Sequence, residues 1–396
     1  MRRALFAVAC VAACGNDIGA PEAPPADAAG EHALEMSDVS ILLPLPSDVT
    51  QPVLTTIAGA SHAIVDLDTF QYTVLGPGNM ADKVGPQFSY PMMQVVALRF
   101  DVCDRSAIGP CAGAPGTQDG TLRVILQPLY TAADGSVAAE DIAMHTFFPI
   151  PAADVPHVIT ELRHLSALQQ TPAGSPLGVS TAATAALAGG SASYLNKLRD
   201  IVLTYARVDH LQKMTVAGQI ENAGGFEWVF RGFTFDNGQD PQLIVPPQSG
   251  GTGQTTLLAG GDIVYNTDPV ADVPAGFANA IDGVLFDPLS AADKATAVAT
   301  LAEVQNPTLH DAVDTQCVAC HITTYLTPFR ANEIGVAVSA LPNTYQTTFN
   351  TTVATIAGQD ARVVRAFGWV SKVPSISQRV ANDTAQVLGD IQRLYP

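Results

Sequence analysis

Positive charge is scarce in this 396-residue chain: 19 Lys and Arg stand against 37 Asp and Glu, for a net charge of −18 at pH 7. A surface of that sign repels nucleic acid and anionic lipid head groups, and the one kind of partner it would steer is a basic protein. No run of eighteen apolar residues occurs, so no segment is long enough to cross a bilayer as a helix. The signatures G-x-S-x-G and H-E-x-x-H are missing. The Gly-rich stretch Pro246–Gly261 has no Lys where a phosphate-binding loop needs one. Nothing therefore assigns a catalytic residue. Cysteine (6) and histidine (8) are rare, and neither Met nor His follows position 321. With 47% hydrophobic and only 14% charged residues, the chain has the composition of two or three folded domains.

Against that scarcity stands Cys317-Val318-Ala319-Cys320-His321. Two thiols three positions apart can each form a thioether with one vinyl group of a haem, and the adjacent imidazole is placed to ligate the iron, which is the c-type attachment pattern. The pentad predicts one covalent haem c on Cys317 and Cys320, with His321 as proximal iron ligand. A disulfide, a redox dithiol and half of a zinc site use the same spacing. Four-ligand zinc would need a second close Cys/His pair, and the sequence has none.

Covalent haem attachment takes place outside the cytoplasm, and the N-terminus is read accordingly. Arg2 and Arg3 form a positive n-region before the small and apolar Ala4–Ala13. Val11-Ala12-Ala13-Cys14 resembles a bacterial lipobox, which implies cleavage before Cys14 and lipidation of its thiol. An ordinary secretory signal is the alternative. Gly15 in place of Asp resembles the sorting pattern of outer-membrane lipoproteins, so the expected location is the cell envelope, anchored to a lipid membrane. Cys103 and Cys111 remain, eight apart around Gly109-Pro110, and an exported protein is expected to join them as a disulfide.

The domain reading is a signal over 1–13, a Pro/Ala-rich tether over 14–36, an α+β domain over 37–245, a Gly/Thr linker over 246–262 and a helical haem domain over 263–396 with its core at 314–396. The expected fold class is α+β, an antiparallel sheet with helices on one side followed by helices. Strands are predicted at Gln94–Cys103 and Thr121–Tyr130, and a hairpin at Met214–Phe235 whose alternation changes phase at Arg231-Gly232, as a β-bulge would produce. Helices are predicted at Val155–Gln169, Ala192–Tyr205, Ala291–Gln305 (capped by Ser290) and Ser377–Leu394. Phe329, Phe349, Phe367 and Trp369 are candidates for an apolar haem pocket.

From about Asp314 to Pro396, a fifth of the chain, the sequence resembles a small c-type cytochrome domain, with the pentad at its start and an amphipathic closing helix. The resemblance implies one-electron transfer, with a redox partner protein, in place of enzymatic turnover. In that family a Met downstream of the motif usually completes the iron's coordination, and here there is none. His310, eleven residues upstream, is the nearest imidazole, and multihaem c-type proteins often recruit a distal His from before the motif. Met214, Met144 and His145 are further candidates if the N-terminal domain closes over the haem. The alternative function is a lipoprotein binding or scaffold module whose haem is structural or senses gas or redox state. A haem peroxidase would need distal acid–base groups that the sequence does not identify.

Overall fold

Alternating branched and aromatic residues build one large antiparallel sheet, and the length of its strands sets where the chemistry falls. The computed structural model describes residues 33–51, 53–54, 64–75, 90–103, 111–169, 171–222, 225–236, 239–244, 254–259, 262–264, 276–310, 317–353 and 365–396. The signal, Cys14 and most of the tether lie outside the described residues.

The strands are β1 Ser40–Leu42, β2 Met93–Asp101, β3 Gly120–Thr131, β4 Val137–Ala139, β5 Ile142–Ile150, β6 Lys213–Asn222, β7 Gly225–Asp236, β8 Gln239–Ile244, β9 Gln254–Ala259 and β10 Asp262–Val264. They run β1-β2-β3-β5-β6-β7-β9-β10, with β4 added to β3 and β8 to β7. All of these pairs are antiparallel, and β9 and β8 share the outer edge of β7. The stretch read as a linker (246–262) thus contributes the strand Gln254–Ala259, and Asp262–Val264 crosses from it into the stretch expected to be helical. A separate two-stranded ribbon, β11 Phe367–Val370 and β12 Val373–Ile376, precedes the last helix.

Five longer helices complete the fold: α1 Val155–Gln169, α2 Ser193–Tyr205, α3 Ala291–Val304, α4 Cys317–Glu333 and α5 Gln378–Leu394. Two of their starts were legible as caps. The Ser290 side chain accepts from the Asp293 amide and the Ser377 side chain from the Val380 amide, each satisfying a donor the helix cannot. The observed class is α+β.

Two expectations change. β2 is buried at all nine positions, so its cover lies on both faces and not on one. The β6–β7 register runs unbroken from Lys213↔Thr234 to Asn222↔Gly225, so no bulge sits at Gly232. The phase change has another cause. Phe230 belongs to a small core with α3 and α4, whereas Phe233 and Phe235 belong to the large core on the opposite face. Because both faces are covered, the apolar residues of β7 switch parity without any break in the pairing with β6.

The terminal helix α5 packs into the large core through Val380, Val387, Leu388 and Ile391, together with residues of β2, β3 and β5. Polar contacts fix its pose. Ser40 and Thr384 hydroxyls lie 2.7 Å apart. Arg99 of β2 donates to Asp101 (Nε–Oδ1 2.9 Å) and to Asp383 (Nη1–Oδ2 3.2 Å), and Arg379 donates to the other oxygen of Asp383 (2.9 Å). At the far end of the helix, Cys103 and Cys111 form the expected disulfide, with Cα atoms 5.9 Å apart. The Cys111 amide donates to Asp390. Removing one member of a buried ionic set strands the charges left behind, at about 3–5 kcal/mol. Asp383→Ala is expected to lose that much in urea denaturation; a loss under about 1 kcal/mol would mean the two arginines find other partners.

Candidate functional site

Helix α4 begins at the Cys317 backbone, so the pentad forms its first turn and the next residues run on as helix. Cys320 and His321 line a cavity against the sheet. The side chain of Cys317 lies outside the described set.

Strand pairing determines the opposite wall. Side chains alternate across a strand, and directly paired residues share a face. Arg99 pairs with Arg123 and Arg123 with Phe147; one step along, Ile125 pairs with His145 and His145 with Thr215. All six line the cavity, which Phe367, Arg379, Val380 and Asp383 close from the C-terminal side. His321 also meets Phe230 of the small core edge-on, ring centroids 5.0 Å apart. The same alternation sends Met144 and Met214 to the other face, where both are buried.

Two imidazoles face each other here. The rings of His145 and His321 have centroids 6.4 Å apart and are inclined by 57°. His145 is 8% exposed, and its Nε2 is a buried atom with no hydrogen-bond partner. Buried polar atoms are nearly always paired, so an orphaned ring nitrogen on an imidazole beside a second imidazole marks a candidate site. Burial holds the His145 ring far below the ordinary histidine range, and repulsion from Arg123, His321, Arg365 and Arg99 adds to it. The ring is therefore neutral and able to act as a donor.

The cavity is cationic within an anionic protein. Arg99, Arg123 and Arg379 line it, and of these Arg99 pairs with Asp101 and Asp383 and Arg379 with Asp383, so that three guanidinium groups stand against two carboxylates. Arg99 is held above its usual range: burial opposes its charge, but Asp101 and Asp383 outweigh the burial. Arg123 is pushed down to about 10, first by burial and then by Arg99. Its guanidinium carbon sits 4.6 Å over the Phe147 ring, and its Nε has no hydrogen-bond partner.

His310 is placed elsewhere. Its Nε2 lies 3.4 Å from Glu303 Oε1, and its carbonyl accepts from Arg379 at 2.6 Å. Of the four aromatic candidates, Phe367 lines the cavity. Trp369 donates from Nε1 to the Leu43 carbonyl (3.0 Å), Phe329 stacks on Tyr325 at an exposed position, and Phe349 packs on the large core. The arginines and Phe147 escaped sequence reasoning. Their signal was an Arg inside an otherwise apolar strand, as in Val95–Phe100 and Leu122–Leu126, where burial demands partners.

Among the described residues no group of three or more His, Cys, Asp or Glu side chains is arranged to hold a bare metal ion. No family model, curated protein or solved structure matches the chain.

The neutral burial of His145 has a pH consequence. Below its unfolded value of 6.5 the ring takes up a proton in the unfolded chain and not in the folded one, so stability falls as pH falls. In a Cys317→Ser/Cys320→Ser protein, urea midpoints are expected to drop below pH 6.5, contributing up to about 1.4 kcal/mol per pH unit, and His145→Gln is expected to flatten that slope. Equal slopes in the two proteins would contradict the account.

Proposed function

We propose that the protein is an exported, lipid-anchored carrier of one covalently attached haem c, working in electron transfer in the cell envelope. The observation that carries this reading is the C-x-x-C-H pentad at the start of a helix, with His321 turned into a cavity of mixed apolar and cationic lining.

The residues present suit the group. The cavity measures about 90 Å³. That is below the roughly 300–1,000 Å³ of cofactor clefts, so the support for a haem comes from the chemistry of the lining and not from enclosed volume. Cys317 and Cys320 would hold it by thioethers, and His321 would ligate the iron. Ile125, Phe147, Phe367 and Val380 keep water from the enclosed side. Arg99, Arg123 and Arg379 offer the cationic excess that propionate carboxylates require, and the unpartnered Arg123 Nε is one donor available for them. When bound, the haem supplies a one-electron ferric/ferrous couple.

This chain's own residues set how that couple is tuned. A buried cationic surround favours the reduced, less positive centre, whereas a histidine in the sixth position lowers the potential relative to a thioether. The acidic surface favours a basic redox partner protein. The closing helix and the pentad support the likeness to a c-type cytochrome domain. That helix is packed on the sheet, so the cytochrome-like part is proposed as a lobe built onto the α+β body.

Expression with a c-type maturation system is expected to give a haem-staining band that survives denaturing electrophoresis and is lost in Cys317→Ser/Cys320→Ser. Secreted, folded protein without covalent haem would sink the reading. Anchoring is separable: Cys14→Ser is expected to move the protein from the membrane to the soluble fraction and abolish acyl labelling. Wild-type fractionation and labelling of that variant would refute lipidation at Cys14.

A further inference from the structure

We propose that His145, on strand β5 of the sheet, is the sixth ligand of the iron, so that the metal is held between the sheet and helix α4. This rests on the haem reading above and adds to it a donor from the other half of the chain.

Spacing is the first support. Two in-line metal–imidazole bonds of about 2 Å each put the ring centroids roughly 6 Å apart. The His145 and His321 centroids are 6.4 Å apart. The orphaned nitrogen is the second. His145 Nε2 is enclosed and makes no hydrogen bond, although a buried imidazole nitrogen without a partner is a cost that native proteins rarely carry. An iron between the rings removes that cost.

Competing donors are disposed of by the same geometry. Met144 and Met214 lie on the opposite face of the sheet, because β5 and β6 alternate and His145 pairs with Thr215 on the cavity side. Both methionines are buried there in the large core. His310 has its Nε2 beside Glu303, and the Arg379 guanidinium holds its carbonyl. No Met or His follows His321 in the sequence. A strand also makes a good support. His145 is flanked by Ile125 and Thr215 in unbroken pairing on both sides, so the ring is presented by a rigid element.

The test uses the full-length haem-loaded protein and reads iron coordination. The wild-type ferric protein is expected to be low-spin without the near-infrared band of a Met–iron bond. His145→Ala is expected to become high-spin and to bind carbon monoxide when reduced, with added imidazole restoring the low-spin spectrum. His310→Ala is expected to leave the spectrum unchanged. If the alanine variant fails to fold, His145→Met fills most of the same volume and is expected to gain the near-infrared Met–iron band. A low-spin spectrum unaltered by His145→Ala, a His145→Met protein without that band, or a high-spin wild type would overturn the assignment. Haem staining of the wild type on a denaturing gel separates the two failures. A stained band with unaltered spectra in the variants defeats the His145 ligand alone, whereas no band defeats the haem reading on which it rests.

Discussion

Asp383 is the carboxylate on which the two halves of the chain converge. It accepts from Arg99 of the sheet and from Arg379 of its own helix, while Arg379 reaches on to the carbonyls of Val304 and His310. Through these bonds Asp383 and Arg379 of α5 together tie strand β2 to the end of α3 and to His310, upstream of the C-x-x-C-H motif. The position is 3% exposed, where an isolated charge would be costly, and the pairing in both directions is what permits it. Asn382, the next residue, donates to the Gln305 carbonyl at 2.8 Å and caps the same junction. Arg99, Arg379 and Asp383 of this junction line the cavity that His321 also lines.

How much of this was legible in the sequence depended on whether a signal was local. Helix ends set by Ser290 and Ser377 were readable, because a cap is a matter of three or four neighbouring residues. Strands β2 and β3 and the β6–β7 hairpin emerged within a residue or two, since period-two patterning is also local. The supposed bulge at Gly232 was misread for a reason that local pattern cannot supply: it takes knowledge that both faces of β7 are covered. The disulfide was legible from composition and spacing. That α5 belongs with the sheet was not. An apolar stripe on a helix records that it is buried and does not record against what.

The candidate site divides along the same line. Cys317, Cys320 and His321 were visible because their chemistry is written in five consecutive residues. The opposite wall is assembled from single residues on β2, β3, β5 and β6, and only the registers Arg99↔Arg123, Arg123↔Phe147 and His145↔Thr215 make them neighbours. Among Met144, His145 and Met214, the sequence offered no ground for choice. A one-residue step along a strand reverses the face, so parity alone separates the histidine from both methionines.

The electrostatics of the cavity bear on its proposed use. A protein of net charge −18 has no need to gather three arginines around one hollow, and desolvating them is unfavourable. Asp101 and Asp383 neutralise two. The third, Arg123, is left with its guanidinium over Phe147 and an unpartnered Nε. Burial, with repulsion from Arg123, His321, Arg365 and Arg99 added, holds the His145 ring well below the ordinary histidine range, which favours its neutral form beside His321. A ligand that brings carboxylates for the arginines and a metal for the imidazoles would answer both deficits together, and a haem does. An anion alone would leave the histidine nitrogen unpaired, and a bare ion alone would add positive charge to a hollow already in excess.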